Sequence, residues 1–393
     1  MIKKKTNINA KSKEKKKFST VIMPLVIGGV VGLVIAILSI TYMGEHIESN
    51  NMFIEILKLY GLIIIFIVGY LIHIIIHEAG HLIFGLMTGY SFVSFRIGSF
   101  TFIKEHKKLK HKKFNIPGTA GQCLMMPPPL KDGKYPFVIY NFGGVIMNLI
   151  VSIIGILVVI FVQEITFPLN AILILTSAGG IFAALTNGIP MKIGGVPNDA
   201  YNVLSMLKDQ EARDGFYIQL RVNGLLSLGT RIKDLPLEMF KLKENSDLCN
   251  PLNTAVRLME YNWHLDNMDL GSAKQCINSF IPYLHKVAPL FRNEINCERM
   301  FLELVYNCDK NFIDDLYDKS LRKYIKAAKF MIGKKRILMA YEGFYNEDKN
   351  KALKYYEDTK QLANKYPIKG EAAMELMLID WVKEKLNVKF SRE

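Results

Sequence analysis

Long uncharged apolar runs alternate with polar breaks through the first 190 residues; beyond them, apolar positions recur singly, at helical spacing, between charged ones. Four runs are each long enough to cross ~30 Å of hydrocarbon as a helix: about 21–43, 62–87, 137–162 and 169–187. The first carries Gly28, Gly32 and Ala36 four apart, a face that lets helices approach closely. Between the second and third, SFVSFRIGSFTFIKE (91–105) alternates loosely and is rich in aromatic and β-branched residues, which predicts a strand or hairpin. NIPGTAGQCLMMPPPLKDGKYP (115–136) holds too much glycine and proline for a regular helix.

The pattern predicts an all-α polytopic membrane protein with about four transmembrane helices and a small membrane-associated β-hairpin. A basic tail (1–18) precedes a transmembrane domain (19–200), whose strand and loop region covers 89–134. A soluble α-helical domain (201–393) follows. Within it, helix–turn–helix patterns recur three times, marked by Tyr261, Tyr306 and Tyr345 at intervals of 45 and 39 residues. This spacing resembles degenerate tetratricopeptide-like hairpins. The intervals are irregular, and an unrelated helical bundle fits them as well.

Charge adds orientation. The formal net charge is +14, and much of it sits in KKKTNINAKSKEKKK (3–17) and KEHKKLKHKK (104–113), both beside apolar runs. Lysines flanking spans stay on the cytoplasmic side and meet anionic headgroups there, which speaks against a nucleic-acid partner. Four spans then put both termini in the cytoplasm, in what we expect to be a bacterial plasma membrane. The first run is too long for a signal-peptide core and reads as a retained anchor. Cys123, Cys249, Cys276, Cys297 and Cys308 form no C-x-x-C pair; in a reducing compartment neither disulfides nor a cysteine metal site is expected.

The second run holds the candidate chemistry. In YLIHIIIHEAGHLIFGLMTGY (70–90), His77, Glu78 and His81 form H-E-x-x-H. Residues four apart share a helix face, so both imidazoles can reach one metal. Zinc favours such ligands and, in catalytic sites, keeps one position open. Glu78, one residue round, can act as general base. An ionised group near the bilayer centre costs ~3 kcal/mol or more unless it meets a partner or a wet cavity, and a metal supplies that partner. His81 precedes Thr88 by seven residues, ~10 Å along a helix, which sets the site below the cytoplasmic surface. Asp199, after the helix-breaking run NGIPMKIGGVPNDA (187–200), is the candidate third ligand; it could instead cap the helix AYNVLSMLK. Asp132, Asp209 and Glu105 compete from less suitable positions. His73, one turn deeper, reads as a packed histidine, a hydrogen-bond partner to the ligands or part of a water path.

These residues resemble the site-2 protease family of intramembrane zinc metalloproteases. That family pairs H-E-x-x-H with a later Asn-Pro…Asp-Gly element, matched here by Asn187, Pro190 and Asp199, with Ala200 where glycine is usual. GGVIMN, Gly143 to Asn148, matches a glycine-rich family motif ending in asparagine. The resemblance spans about residues 60–205. It implies Zn2+ as cofactor, Glu78 as catalytic base, His77, His81 and Asp199 as ligands, and Asn148 and Asn187 as substrate-binding or oxyanion residues. Interhelical hydrogen bonding is an equal reading for both asparagines. It also implies that the hairpin pairs with an extended substrate.

The function expected is an intramembrane zinc endopeptidase cleaving transmembrane or membrane-adjacent segments of a membrane protein or peptide, with a cytoplasmic protein partner docking on the C-terminal helices. The alternative is a non-proteolytic membrane zinc protein, an assembly or export accessory, for which Glu78 would not be needed. A scaffold anchored by its spans is a third.

Overall fold

The structure is a computed structural model that describes residues 52–105, 108–113, 120–162, 164–193 and 196–391. The basic tail, the run at 21–43 and its Gly28, Gly32 and Ala36 lie outside the described residues. The chain packs as two compact units: the described residues up to Tyr90 with Pro129–Ser205, and those of Ser91–Pro128 with Met206–Glu393.

The first unit is built on three helices long and apolar enough to cross a membrane: α1 (Met52–Met87), α2 (Phe137–Phe161) and α3 (Leu169–Gly188). α1 starts ten residues earlier than the apolar run implies. Its first turns carry Glu55 and Lys58, which interrupt hydropathy but not helix formation. The bundle is apolar outward. Ile64, Leu71, Ile153, Ile154 and Ile160 are exposed, while the buried faces hold Gly69, His73, His77, Gly80 and His81 on α1, and Gly143, Gly144, Asn148 and Ser152 on α2. Small and polar residues facing inward are the packing expected where lipid, not water, surrounds the helices. Closest approach falls on glycines. A Cβ on Gly143 would stand 2.7 Å from the Gly80 carbonyl oxygen, and one on Gly69 would stand 2.7 Å from Thr176 Cα.

After α3 the Gly-Pro-rich segment forms a two-stranded antiparallel ribbon, described at Lys192–Ile193 and Val196–Pro197. It leads directly into a helix at Asp199–Lys208.

The second unit joins a sheet to a helical array. Strands β1 (Ser91–Ile97), β2 (Phe100–Glu105), β3 (Lys108–Lys113) and β4 (Gly121–Met126) form an antiparallel sheet ordered β3-β2-β1-β4. β1 and β2 are the expected hairpin, reversed through Gly98 in the left-handed region at φ 56°. The lysine run at 108–113 is a strand that alternation of apolar residues could not reveal. It has one apolar residue, Leu109, and is held by backbone pairing with β2. The sheet, expected within the transmembrane domain, packs with the C-terminal helices instead. Met126 of β4 lies over Gly224 of the helix Gln210–Leu228, where a Cβ would stand 3.2 Å from it.

Three helical hairpins follow: Pro251–Asp266 with Leu270–Asn278, Pro289–Tyr306 with Lys310–Leu316, and Ile332–Tyr345 with Lys349–Lys365. The expected tyrosine markers are not equivalent. Tyr306 and Tyr345 directly precede their turns, whereas Tyr261 lies buried mid-helix and donates to Glu298 Oε2 at 2.8 Å. Turn chemistry carries the repetition. Asn267-Met268-Asp269, Asn307-Cys308-Asp309 and Asn346-Glu347-Asp348 recur 40 and 39 residues apart. In each the middle residue is left-handed, at φ 59°, 51° and 58°. In each the aspartate caps the next helix, accepting from Ser272, Asn311 and Lys351 backbone N–H groups at 3.0, 3.0 and 2.9 Å.

A buried ion cluster sits in this array. Arg336, 1% exposed, donates to both oxygens of Glu298 at 2.9 and 3.0 Å and to Glu375 at 2.8 Å, and stacks over the Phe301 ring. Lys334 pairs with Glu294. Glu371 has Tyr366 as its hydrogen-bond donor at 3.0 Å. Burial, then the nearby Glu375 charge, push its carboxyl up to about 7.

Removing Arg336 leaves Glu298 and Glu375 without their cation. Arg336→Ala is expected to cost about 3–5 kcal/mol, read as a lower unfolding midpoint by fluorescence of Trp263 and Trp381, both in this unit. Glu371 binds its proton more tightly folded than unfolded, so its contribution to stability falls as pH rises from about 4.5 to about 7. Glu371→Gln should flatten that part of the stability profile and stabilise the protein at pH 8. An unchanged slope in pH-dependent melts would refute this.

Candidate metal centre

The candidate ligands come from two elements. Helical spacing puts His77 and His81 on the buried face of α1, each about 8% exposed. Asp199 comes from the first turn of the helix after the ribbon. His77 Nε2 lies 3.0 Å from Asp199 Oδ2, His81 Nε2 lies 3.5 Å from the same oxygen, and the two Nε2 atoms are 3.1 Å apart. One donor atom from each of the three residues fits within 4.8 Å of the others, the one such group found among the described residues. Two imidazole nitrogens and a carboxylate oxygen, converging in this way, can hold a metal ion.

Neighbouring groups fix each ligand. His81 Nδ1 lies 2.8 Å from the Tyr140 carbonyl oxygen and donates to it, which turns its Nε2 toward the cluster. Tyr140 is stacked on Tyr90 with centroids 4.4 Å apart. The His77 ring lies against Gly144, where a Cβ would stand 2.5 Å from it. The Asp199 carboxyl would be raised by burial alone. The His81 charge and hydrogen bonds from both imidazoles outweigh this and hold it well below the usual carboxylate range, so it stays ionised and able to ligate.

Asp199 does not cap its helix; Asn198 does. Asn198 Oδ1 accepts from the backbone N–H groups of Tyr201 at 3.0 Å and Met191 at 3.1 Å. Its Nδ2 donates to the carbonyls of Thr186 and Ile189, both at 2.7 Å. One side chain thereby ties the end of α3, the ribbon and the next helix together and leaves the adjacent carboxylate for the imidazoles. An Asx residue before a helix is a readable cap signal; of the two roles open to Asp199 in the sequence, the capping one falls to Asn198.

The remaining candidates fall elsewhere. Glu78 is half-buried on α1 beside His77. Asn148 is fully buried, its amide lying between His73 Nδ1 at 3.1 Å and His77 Nδ1 at 3.3 Å. Asn187 donates to the Ala183 carbonyl of its own helix at 3.0 Å. Asp132 is exposed in a turn, and Asp209 caps the following helix through Glu211 N–H. The Glu105 side chain lies outside the described part.

No family model, curated protein or solved structure matches this chain. Among the described residues, fold and site together define a largely helical protein with three helices suited to a membrane and a His–His–Asp group able to hold a metal ion.

Gly144→Ala should push the His77 ring off its position, lowering bound metal toward the level of His77→Ala or Asp199→Ala. Elemental analysis of the purified variants checks this; wild-type metal content in Gly144→Ala would show that the close contact does not position the ligand.

Proposed function

We propose that the protein is an intramembrane zinc endopeptidase that cleaves transmembrane or membrane-adjacent segments of a membrane protein or peptide. The observation that carries the reading is the meeting of His77, His81 and Asp199, residues up to 122 positions apart, on an apolar helix that also carries Glu78. Imidazole and carboxylate suit zinc, and three protein ligands leave a position open for chemistry. Bound there, zinc would supply Lewis acidity, lowering the pKa of a water and polarising a carbonyl. Glu78 takes the proton of the attacking water and returns it to the leaving amide nitrogen. With the Asn148 amide held on both sides by imidazoles, Asn187, whose amide keeps a second N–H beyond the one given to Ala183, is the donor we assign to the developing oxyanion. Substrate enters from the bilayer, because two of the three ligands, His77 and His81, belong to a span.

Glu78→Gln should keep its zinc and lose roughly 10²–10⁴-fold in turnover. The assay co-expresses the protein with single-span proteins and follows their fragments, then repeats the cleavage with purified components. Undiminished cleavage by metal-loaded Glu78→Gln would reject the mechanism. Function that survives loss of both Glu78 and the ligands would point to a scaffold.

A further inference from the structure

Asn148 is more than a packed amide. It stands between two imidazoles, 3.1 Å from His73 Nδ1 and 3.3 Å from His77 Nδ1. His73 and Asn148 are both fully buried. Glycines make the room. The His77 ring fills the space where Gly144 lacks a side chain, and the His73 ring and Ser152 hydroxyl both fill the space beside Gly180.

An amide between two rings can face them in two senses. In the sense recorded, His73 Nδ1–H donates to Asn148 Oδ1, and Asn148 Nδ2–H donates to His77 Nδ1. His77 then carries its proton on Nε2 and gives it to Asp199. A metal at His77 Nε2 needs the lone pair there, so the ring must carry its proton on Nδ1 instead. Nδ1–H then needs an acceptor, which Asn148 offers only with its amide turned over. The turned amide donates to His73 Nδ1, and His73 in turn keeps its proton on Nε2.

We propose that His73, Asn148 and His77 form a reversible hydrogen-bond relay that sets the tautomer of His77, with Asn148 as a positioning residue for the metal ligand. This rests on reading His77 as a ligand. Protons balance: each histidine keeps one proton and exchanges the nitrogen that bears it. An amide offers both a donor and an acceptor and can swap them by turning over. An imidazole at the far end can serve in both senses. The relay accounts for a histidine at position 73, one turn below the ligands, where an apolar residue would pack at lower cost.

The test uses the full chain in lipid bilayers, labelled with 15N-histidine and titrated with zinc. Solid-state NMR distinguishes the two tautomers of each ring, and His73→Phe assigns the His73 signals. Zinc should move the His77 proton from Nε2 to Nδ1 and the His73 proton from Nδ1 to Nε2. Asn148→Leu should uncouple His73 from zinc and weaken zinc binding roughly 10- to 100-fold, the range for lost ligand-supporting contacts. Asn148→Asp, which accepts from both rings at once, should bind zinc at least as well as wild type. A His73 that keeps Nδ1–H while His77 binds zinc would overturn the relay, as would wild-type zinc affinity in Asn148→Leu. Should Asn148→Leu not fold, the wild-type spectra decide alone. Failure of the wild-type chain to bind zinc would overturn both the relay and the metal reading.

Discussion

An imidazole buried among apolar helices must find a hydrogen-bond partner on another segment, and that requirement organises the first unit. His73, His77 and His81 stand at i, i+4 and i+8 on one face of α1, and each is answered from elsewhere: by the Asn148 amide, by the Asp199 carboxylate and by the Tyr140 carbonyl. These contacts need backbones close enough for short side chains to reach. The glycines at 80, 143, 144 and 180 supply that proximity. Polar satisfaction and close helix packing are thus one constraint, met by one set of positions.

The second unit solves a similar problem with full charges. Arg336 is enclosed by Glu298, Glu375 and the Phe301 ring. Such an ion pair contributes little net stability compared with apolar packing, but breaking it is costly. Its partners come from separate helices of the array, so it fixes their register relative to one another. The neighbouring Glu371, bonded by a tyrosine and beside further carboxylates, is the point where acid exceeds base.

Much of this was legible in the chain. Three apolar runs announced three helices, H-E-x-x-H announced two imidazoles on one face, and the broken segment after α3 announced a carboxylate returning to them. What was illegible has physical causes. β3 is a strand without apolar alternation, so only its neighbour's backbone reveals it. α1 begins well before its apolar run because helices tolerate charge where lipid would not. The hairpin repeats were sought in their aromatics, whose positions packing alone decides, whereas the left-handed Asn-x-Asp turns held the regular interval. Asn198 and Asp199 are both suited by type to cap the next helix, so the sequence alone does not separate their roles. Which of two adjacent residues caps, and which is free to reach an imidazole, depends on contacts with segments far along the chain.

Among the described residues the sheet ends on one side at β3, Lys-Leu-Lys-His-Lys-Lys, whose side chains are largely exposed. An outermost strand leaves a row of backbone donors and acceptors that invites another chain to add to it. Here such an addition would bring a second copy of the same cationic row alongside the first. Electrostatic repulsion therefore protects the protein from strand-by-strand polymerisation at that border. The protection would weaken as salt rises or as the ammonium groups are acylated.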